Sequence, residues 1–306
     1  MKKSTLASDG LLILTAAIWG LAFVAQRVGM DHLGPYAFNA IRFFVGACSL
    51  LPVIVWLRRR EPGGSLVISR SLILGGMAMG VLLFAGASLQ QVGLLYTTAG
   101  NAGFITGLYI VLVPVIGLLW GQKTGLNTWV GMLLAMVGLY LLTMHGDVTL
   151  NKGDMLMLVG ALFWALHVLL IGWLAPRHSG LLLAVIQFLT CAGLSLAVAL
   201  PTEDITMTGV KGAWAAIAFA GVMSTGVAYT LQIIAQKNAP AAHASIILSL
   251  EAVFAVLGGW LLLDETVTLQ TLAGCAVMLS GMLLSQINIR LLRRWLSKTP
   301  AASSAG

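Results

Sequence analysis

Apolar stretches follow one another along almost the whole chain and are separated only by short polar interruptions. A helix needs about 20 apolar residues to cross the hydrocarbon layer of a bilayer. On that measure the pattern predicts ten spans, near residues 10–29, 35–57, 70–91, 98–121, 126–144, 153–174, 180–200, 212–234, 241–263 and 268–291. The interruptions have turn and loop chemistry: DHLGP, RRREPGG, HGDVTLNKGD, APRHSG and PTEDITMTG. The weakest boundary is at 92–97, where GLLYTTAGNAG carries no charge and a very tight turn has to join the third and fourth spans.

The two halves of the pattern repeat. DGLLILTAAIWGLAF (9–23) lies over DMLMLVGALFWALHV (154–168), which sets Asp9 on Asp154, Trp19 on Trp164 and Phe43 on Phe188. SLQQVGLLYTTAGNAG (88–103) lies over TLQIIAQKNAPAAHAS (230–245), which sets Gln90 on Gln232 and Asn101 on His243. Gly131 and Gly138 then fall on Gly274 and Gly281. Five helices per half is an odd number, so the second copy crosses the membrane in the opposite sense. Such inverted repeats are typical of secondary transporters. The expected fold is an all-α membrane protein of ten transmembrane helices in two inverted five-helix repeats, 1–146 and 147–292, followed by a cytoplasmic tail, 293–306.

Composition agrees with a membrane solvent. The 306 residues are 59% hydrophobic and 9% charged, with mean hydropathy +0.96, whereas soluble domains carry about 25% charged residues. The net charge of +7 is no nucleic-acid footprint, because the basic residues gather at span ends, as in WLRRRE (56–61) and RLLRRWLSK (290–298). Lys and Arg favour cytoplasmic loops. With the N-terminus inside, the inner side receives Lys2, Lys3, Arg58, Arg59, Arg60, Arg70, Lys123, Arg177, Lys237 and the C-terminal cluster, and the outer side only Arg27, Lys152 and Lys211. Both termini are therefore expected in the cytoplasm. The first apolar run is long enough to span and has no clear cleavage site after it, so it reads as a retained helix. Cys48, Cys191 and Cys275 lie inside apolar segments as small hydrophobes.

A few polar residues interrupt the spans, and these are the candidate site. Glu251 lies near the middle of ASIILSLEAVFAVLGGWLLLDE, about ten residues or ~15 Å from either end, at a cost of roughly 2.5–3.5 kcal/mol for a charge at the helix centre. Its helix carries Ser245, Ser249, Ala252, Ala255, Gly258 and Gly259, which permit close packing. Arg42 shares a face with Asn39, Gly46 and Ser49 and is the one basic residue placed to partner Glu251; snorkelling to the outer surface is the alternative. Gln90 and Gln232 suit ligand contact or amide bonding between helices. Asn101 is paired by the repeat with His243, which starts its helix and suits a helix-end role. Trp19 and Trp164, symmetric and near mid-helix, are candidate cavity walls or packing residues, with Tyr109 and Tyr229 as weaker versions of the same idea. Pro114 is expected to bend the fourth span. No zinc-ligand pair, P-loop or paired intramembrane aspartate is present. The expectation is therefore no enzyme, no cofactor and no metal site.

These residues carry a resemblance to a family. AAIWGLAFV, TTAGNAGFITGLYIVLVPVIGLLWG (97–121) and APAAHASIILSLEAVFAVLGGWLLLDE (239–265) are similar to the EamA-type transporters of the drug/metabolite transporter superfamily. The chain departs from the family at the proline often found after SLE, which is Ala252 here, and at the first-half counterpart of Glu265, which is Gln122. The resemblance implies an inner-membrane carrier that exports small organic metabolites, amino acids or related compounds, by alternating access. Its partners are then the substrate and the lipid bilayer, with no nucleic acid, in a monomer or homodimer. A proton-coupled drug or cation antiporter is the alternative within transport. A membrane-embedded enzyme such as a lipid transferase, or a sensory subunit, is the alternative outside it. The charge asymmetry makes a direct prediction: a reporter active only when exported, fused after Gly306, stays silent.

Overall fold

The computed structural model describes residues 3–60, 68–96, 105–143, 152–263 and 267–286. Every regular element among them is helical, as expected where hydrocarbon leaves the backbone no water to bond. In chain order they are α1 (Lys3–Met30), α2 (Pro35–Arg60), α3 (Arg70–Gly93), α4 (Tyr109–Leu119), α5 (Leu126–Thr143), α6 (Lys152–Leu174), α7 (Gly180–Thr202), the short α8 (Met207–Gly212), α9 (Trp214–Ala235), α10 (Ala241–Leu248), α11 (Glu251–Leu263) and α12 (Leu269–Gln286). Seven helical segments are long and apolar enough to cross a membrane. Three more apolar helices, Ile105–Leu119, Leu126–Leu141 and Leu269–Ser285, are shorter.

The structure differs from the sequence pattern in three elements. The predicted first span begins earlier, at Lys3, because polar Ser8 and Asp9 are buried against neighbours rather than left in water. The predicted eighth span divides: Thr206 caps α8 by accepting the Gly209 N–H at 3.0 Å, and α9 then starts at Trp214. Inside α9, Phe219–Tyr229 is π-helical. The wider turn is seen at Thr225, whose hydroxyl donates to the carbonyl five residues back, Ala220, at 2.8 Å. The predicted ninth span breaks at Ser249–Leu250 into α10 and α11. The turn expected at 92–97 is present as far as Tyr96, with the Leu95 N–H donating to Val92 and the Tyr96 N–H to Gly93. Pro114 does lie inside α4.

Small residues set how closely the helices approach. α5 lies against α12, and a Cβ on Gly131 would stand 2.6 Å from the Gly281 carbonyl oxygen. One on Gly138 would stand 2.5 Å from the Met278 nitrogen and 2.7 Å from the Gly274 oxygen. Gly131 opposite Gly281 and Gly138 opposite Gly274 make the pair antiparallel, and only glycine leaves room for backbones at that separation. α2 packs on α7 and on the π-helical part of α9, α3 on α6 and α7, and α1 on α9 and α11. Gly46 of α2 sits against Thr225, and Gly20 of α1 sits against the Glu251 carbonyl and Phe254. Two apolar clusters result. One gathers α1, α4, α5, α6, α10, α11 and α12, the other α2, α3, α6 and α7. Trp19 and Trp164 pack against both. At one end of the bundle Glu203, from the PTEDITMTG interruption, caps α2: the Tyr36 and Ala37 N–H groups donate to its two carboxylate oxygens at 2.9 and 2.7 Å, where the helix end favours negative charge. Large side chains such as Leu74, Leu119, Leu200 and Leu269 cover the outside, a surface suited to lipid.

The glycine contacts predict the effect of filling them. Gly138→Leu forces α5 and α12 apart and costs about 1–3 kcal/mol, read as a lower midpoint of thermal unfolding in detergent. Leu133→Ala, on the outward, half-exposed face of the same helix, leaves the midpoint within about a degree or two, as surface changes do.

Candidate functional site

The two clusters meet around a cavity of about 40 Å³. Eight of the ten candidate site residues singled out in the sequence line it: Trp19, Arg42, Gln90, Tyr109, Trp164, Tyr229, Gln232 and Glu251. Asn101 lies outside the described residues. His243 lies elsewhere, in a wider pocket at the end of the bundle that holds the start of α1.

Glu251 enters the cavity from the break in its helix. The Ser249 and Leu250 turn ends α10, and Glu251 is the first residue of α11. A half-helix that starts inside the bundle directs its N-terminal partial charge at the acid. The serines expected to ease packing do so by satisfying themselves: Ser245 and Ser249 donate to the Ala242 and Ile246 carbonyls of their own helix at 2.9 and 2.8 Å. Tyr109 faces Glu251 and its hydroxyl donates to Oε1 at 3.4 Å, longer than the usual 2.7–2.8 Å for such a bond. Tyr109 too follows a turn residue, Leu108, and opens α4. The register that sets Gln90 on Gln232 also sets Tyr109 on Glu251. Two corresponding residues, each at the start of a helix after a turn, thus meet in the cavity.

Arg42 does not partner Glu251, and it does not snorkel. It is 2% exposed. Its Nε donates to Asn39 at 2.8 Å, and its guanidinium lies 4.5 Å from the centre of the Phe43 ring. The i, i+3 placement of Asn39 supplies a local acceptor, and an aromatic face favours a buried cation. That leaves Glu251 without a cationic partner among the described residues.

The paired glutamines play different parts. Gln90 donates to Gln26 Oε1 at 3.5 Å, which ties α3 to α1. Gln232 is fully buried, and neither its amide nitrogen nor its oxygen has a partner. The tryptophans diverge in the same way. Trp19 Nε1 donates to the Ser224 carbonyl at 3.2 Å, a group re-aimed by the π-helix, whereas Trp164 Nε1 is buried and unpartnered. Tyr229, at the end of the π-helix, stands between them, with ring centres 4.5 Å from Trp19 and 6.3 Å from Trp164. Buried polar atoms are nearly always paired, so free groups that line a cavity are the ones available to a ligand.

Thr106, Gln26 and His167 also line the cavity and were not singled out in the sequence. His167 had a signal: it lies three residues after Trp164 and therefore on the same helix face. Its Nε2 meets Gln187 Oε1 at 2.9 Å, and its Nδ1 is unpartnered. Gln187 occupies the repeat position of Arg42. His243 meets Asp9 across helices at 2.9 Å, from Nε2 to Oδ1.

A family model described as EamA-like transporter family matches residues 6–144 and 151–286. The chain belongs to the EamA-like transporter family. Its relatives include an uncharacterized transporter of Archaeoglobus fulgidus, 32% identical over 288 residues, 93% of this chain and 87% of that protein. The uncharacterized transporter YoaV of Bacillus subtilis is 25% identical and covers 90% of this chain and 94% of its own. The uncharacterized inner membrane transporter YedA of Escherichia coli K12 is 24% identical, with 85% and 84% covered. A solved structure titled "Crystal structure of protein" shares the fold at TM-score 0.76 and 18% identity, over 95% of this chain and 99% of that one. The protein is a multi-pass membrane transporter of the EamA family.

The glutamine pair separates a structural bond from a free one. Gln90→Leu removes a partner of buried Gln26 and lowers stability by about 1 kcal/mol, whereas Gln232→Leu breaks no protein hydrogen bond and leaves stability unchanged or raised. Thermal unfolding of the two variants side by side checks the order.

Proposed function

We propose that this EamA transporter exports small organic metabolites, amino acids or related compounds, across the inner membrane by alternating access. Glu251 receives the substrate's ammonium group, and both termini lie in the cytoplasm. The observation that carries the reading is the meeting of Tyr109 and Glu251 in a cavity lined from both halves of the chain. Around them Gln232, Trp164 Nε1 and His167 Nδ1 offer donors and acceptors that the protein itself does not use. Trp19, Tyr229 and Trp164 give the substrate's apolar part a wall.

The same geometry supports two inverted five-helix repeats, 1–146 and 147–292. Contacts come in pairs that exchange when the halves are exchanged: Gly131 on Gly281 and Gly138 on Gly274, α1 with α11 and α4 with α6. Residues on their own repeat mates also meet, as Phe43 and Phe188 do with ring centres 6.3 Å apart. An antiparallel α5 and α12 is what an axis in the membrane plane produces, because they are the same helix of each copy. Rocking one half against the other around the shared cavity exposes it to each side in turn.

A second reading, exchange of a proton for substrate, is favoured by the absence of a cationic partner for Glu251. One protein preparation tests both. Reconstituted protein moves labelled amino acids, and metabolite profiling of medium from overproducing cells identifies which. Glu251→Gln keeps size and hydrogen bonding but not charge; it inserts and folds normally, and transport falls about tenfold or more, the worth of a charge-assisted hydrogen bond. Unaltered transport by this variant from pH 5.5 to 8 leaves Glu251 a packing residue and defeats both readings. Transport that drives protons the opposite way across a sealed vesicle selects the second.

A further inference from the structure

At the end of the bundle that the Lys and Arg distribution places in the cytoplasm lies a second pocket, of about 260 Å³. It is roomier than the central cavity, about 260 Å³ against about 40 Å³, and has space for a small metabolite. Its walls come from α1 and α10 on one side and from the α4–α5 connection and α12 on the other. Gly121, at φ 74°, turns the chain out of α4 so that Gln122 can donate to the Gly117 carbonyl at 2.9 Å. That places the following residues, Lys123 among them, on the rim.

The charges of the pocket are incompletely paired. Asp9 is 2% exposed. Its Oδ1 meets His243 Nε2 at 2.9 Å, and its Oδ2 is buried without a partner. His243 Nδ1 lies 3.3 Å from the Ser285 hydroxyl, so the imidazole is held from both sides and is not free to cover the second oxygen. Across the pocket Lys123 is exposed and makes no ion pair among the described residues. A buried carboxylate with one oxygen unpaired is costly unless a further donor reaches it.

We propose that this pocket is a vestibule that binds a small zwitterion, with the ammonium on Asp9 Oδ2 beside His243 and the carboxylate toward Lys123, before it moves on to the central cavity. The inference deepens the amino-acid reading above and rests on it for the nature of the substrate. The charges select for both groups at once: Lys123 repels a simple amine, and Asp9 repels a simple acid. The elements that build the vestibule continue to the central cavity. α1 carries Asp9 at one place and Trp19 ten residues on, ~15 Å deeper. α10 carries His243 and then Leu248, which lines the cavity before the break at Glu251. A ligand on Asp9 thus sits on the two helices that shape the next site.

The test reads occupancy of the vestibule without requiring transport. In full-length protein with its three cysteines replaced by Ala, Thr128→Cys places a thiol on the pocket wall, and its rate of modification by a small maleimide is measured from the cytoplasmic face. L-Alanine, L-threonine and L-methionine serve as probes, with propionate and ethylamine as the matched acid and amine. The expected result is that at least one zwitterion slows modification and neither control does. Asp9→Asn and, as a surface change that leaves folding intact, Lys123→Gln each raise the concentration needed by about tenfold, the loss of one charged contact. No protection by any zwitterion, equal protection by the amine or acid alone, or protection unchanged by Lys123→Gln overturns the proposal. Protection in a protein that transports none of these compounds refutes the amino-acid reading and leaves the vestibule standing; transport without protection does the reverse.

Discussion

A carboxylate in the middle of a bilayer costs about 2.5–3.5 kcal/mol or more, and the interior of this transporter is arranged around that cost at Glu251. The helix breaks just before the acid, so a half-helix N-terminus faces it. The Tyr109 hydroxyl donates to it at 3.4 Å, and a cavity with further polar groups surrounds it. None of these features is needed to pack ten apolar helices. Each becomes intelligible once a charge-bearing group has to be kept at this depth and kept available.

Availability is the more telling part. Arg42 would neutralise Glu251 if it reached it, but Asn39 and the Phe43 ring hold the guanidinium elsewhere. A strong internal ion pair would leave a substrate little to gain by binding. The Tyr109 contact is instead long, at 3.4 Å, and weaker than an ion pair. The same economy runs through the glutamine and tryptophan pairs. In each, one copy is committed to holding helices together and its repeat mate is left with free polar atoms. The chain holds two matches to the family model, and the members of each pair differ in whether the protein itself satisfies their polar atoms.

The π-helical stretch in α9 links framework and site. Its wide turn lets the Ser224 carbonyl accept from Trp19 and the Ala228 carbonyl accept from Thr15 at 3.2 Å, which ties α9 to α1. On its other side Gly221 and Gly226 admit Val45 and Ser49 of α2. Tyr229 and Gln232 then emerge toward the cavity. Such π segments occur mostly where a helix has to re-aim groups for function.

The sequence by itself determined the solvent, the helical class and the family, because twenty-residue apolar runs, charge asymmetry and the repeated phrases are local and additive signals. It also picked out eight of the residues that line the cavity, since a polar or large aromatic group in mid-span stands out wherever it points. Tertiary structure decided which of those groups are free. That Gln90 is bonded to Gln26 and Gln232 to nothing, and that His243 belongs with Asp9 at the bundle's end, depend on residues far away in the chain, while Arg42 turns to Asn39, three residues off, rather than to Glu251. His167 and Thr106 went unnoticed for the same reason, as one imidazole or hydroxyl in an apolar run reads like a packing residue until the opposing helices are in place. In the π-helix the Ser224 and Ala228 carbonyls find partners across helices, on Trp19 and Thr15, and no propensity of Thr225 encodes that.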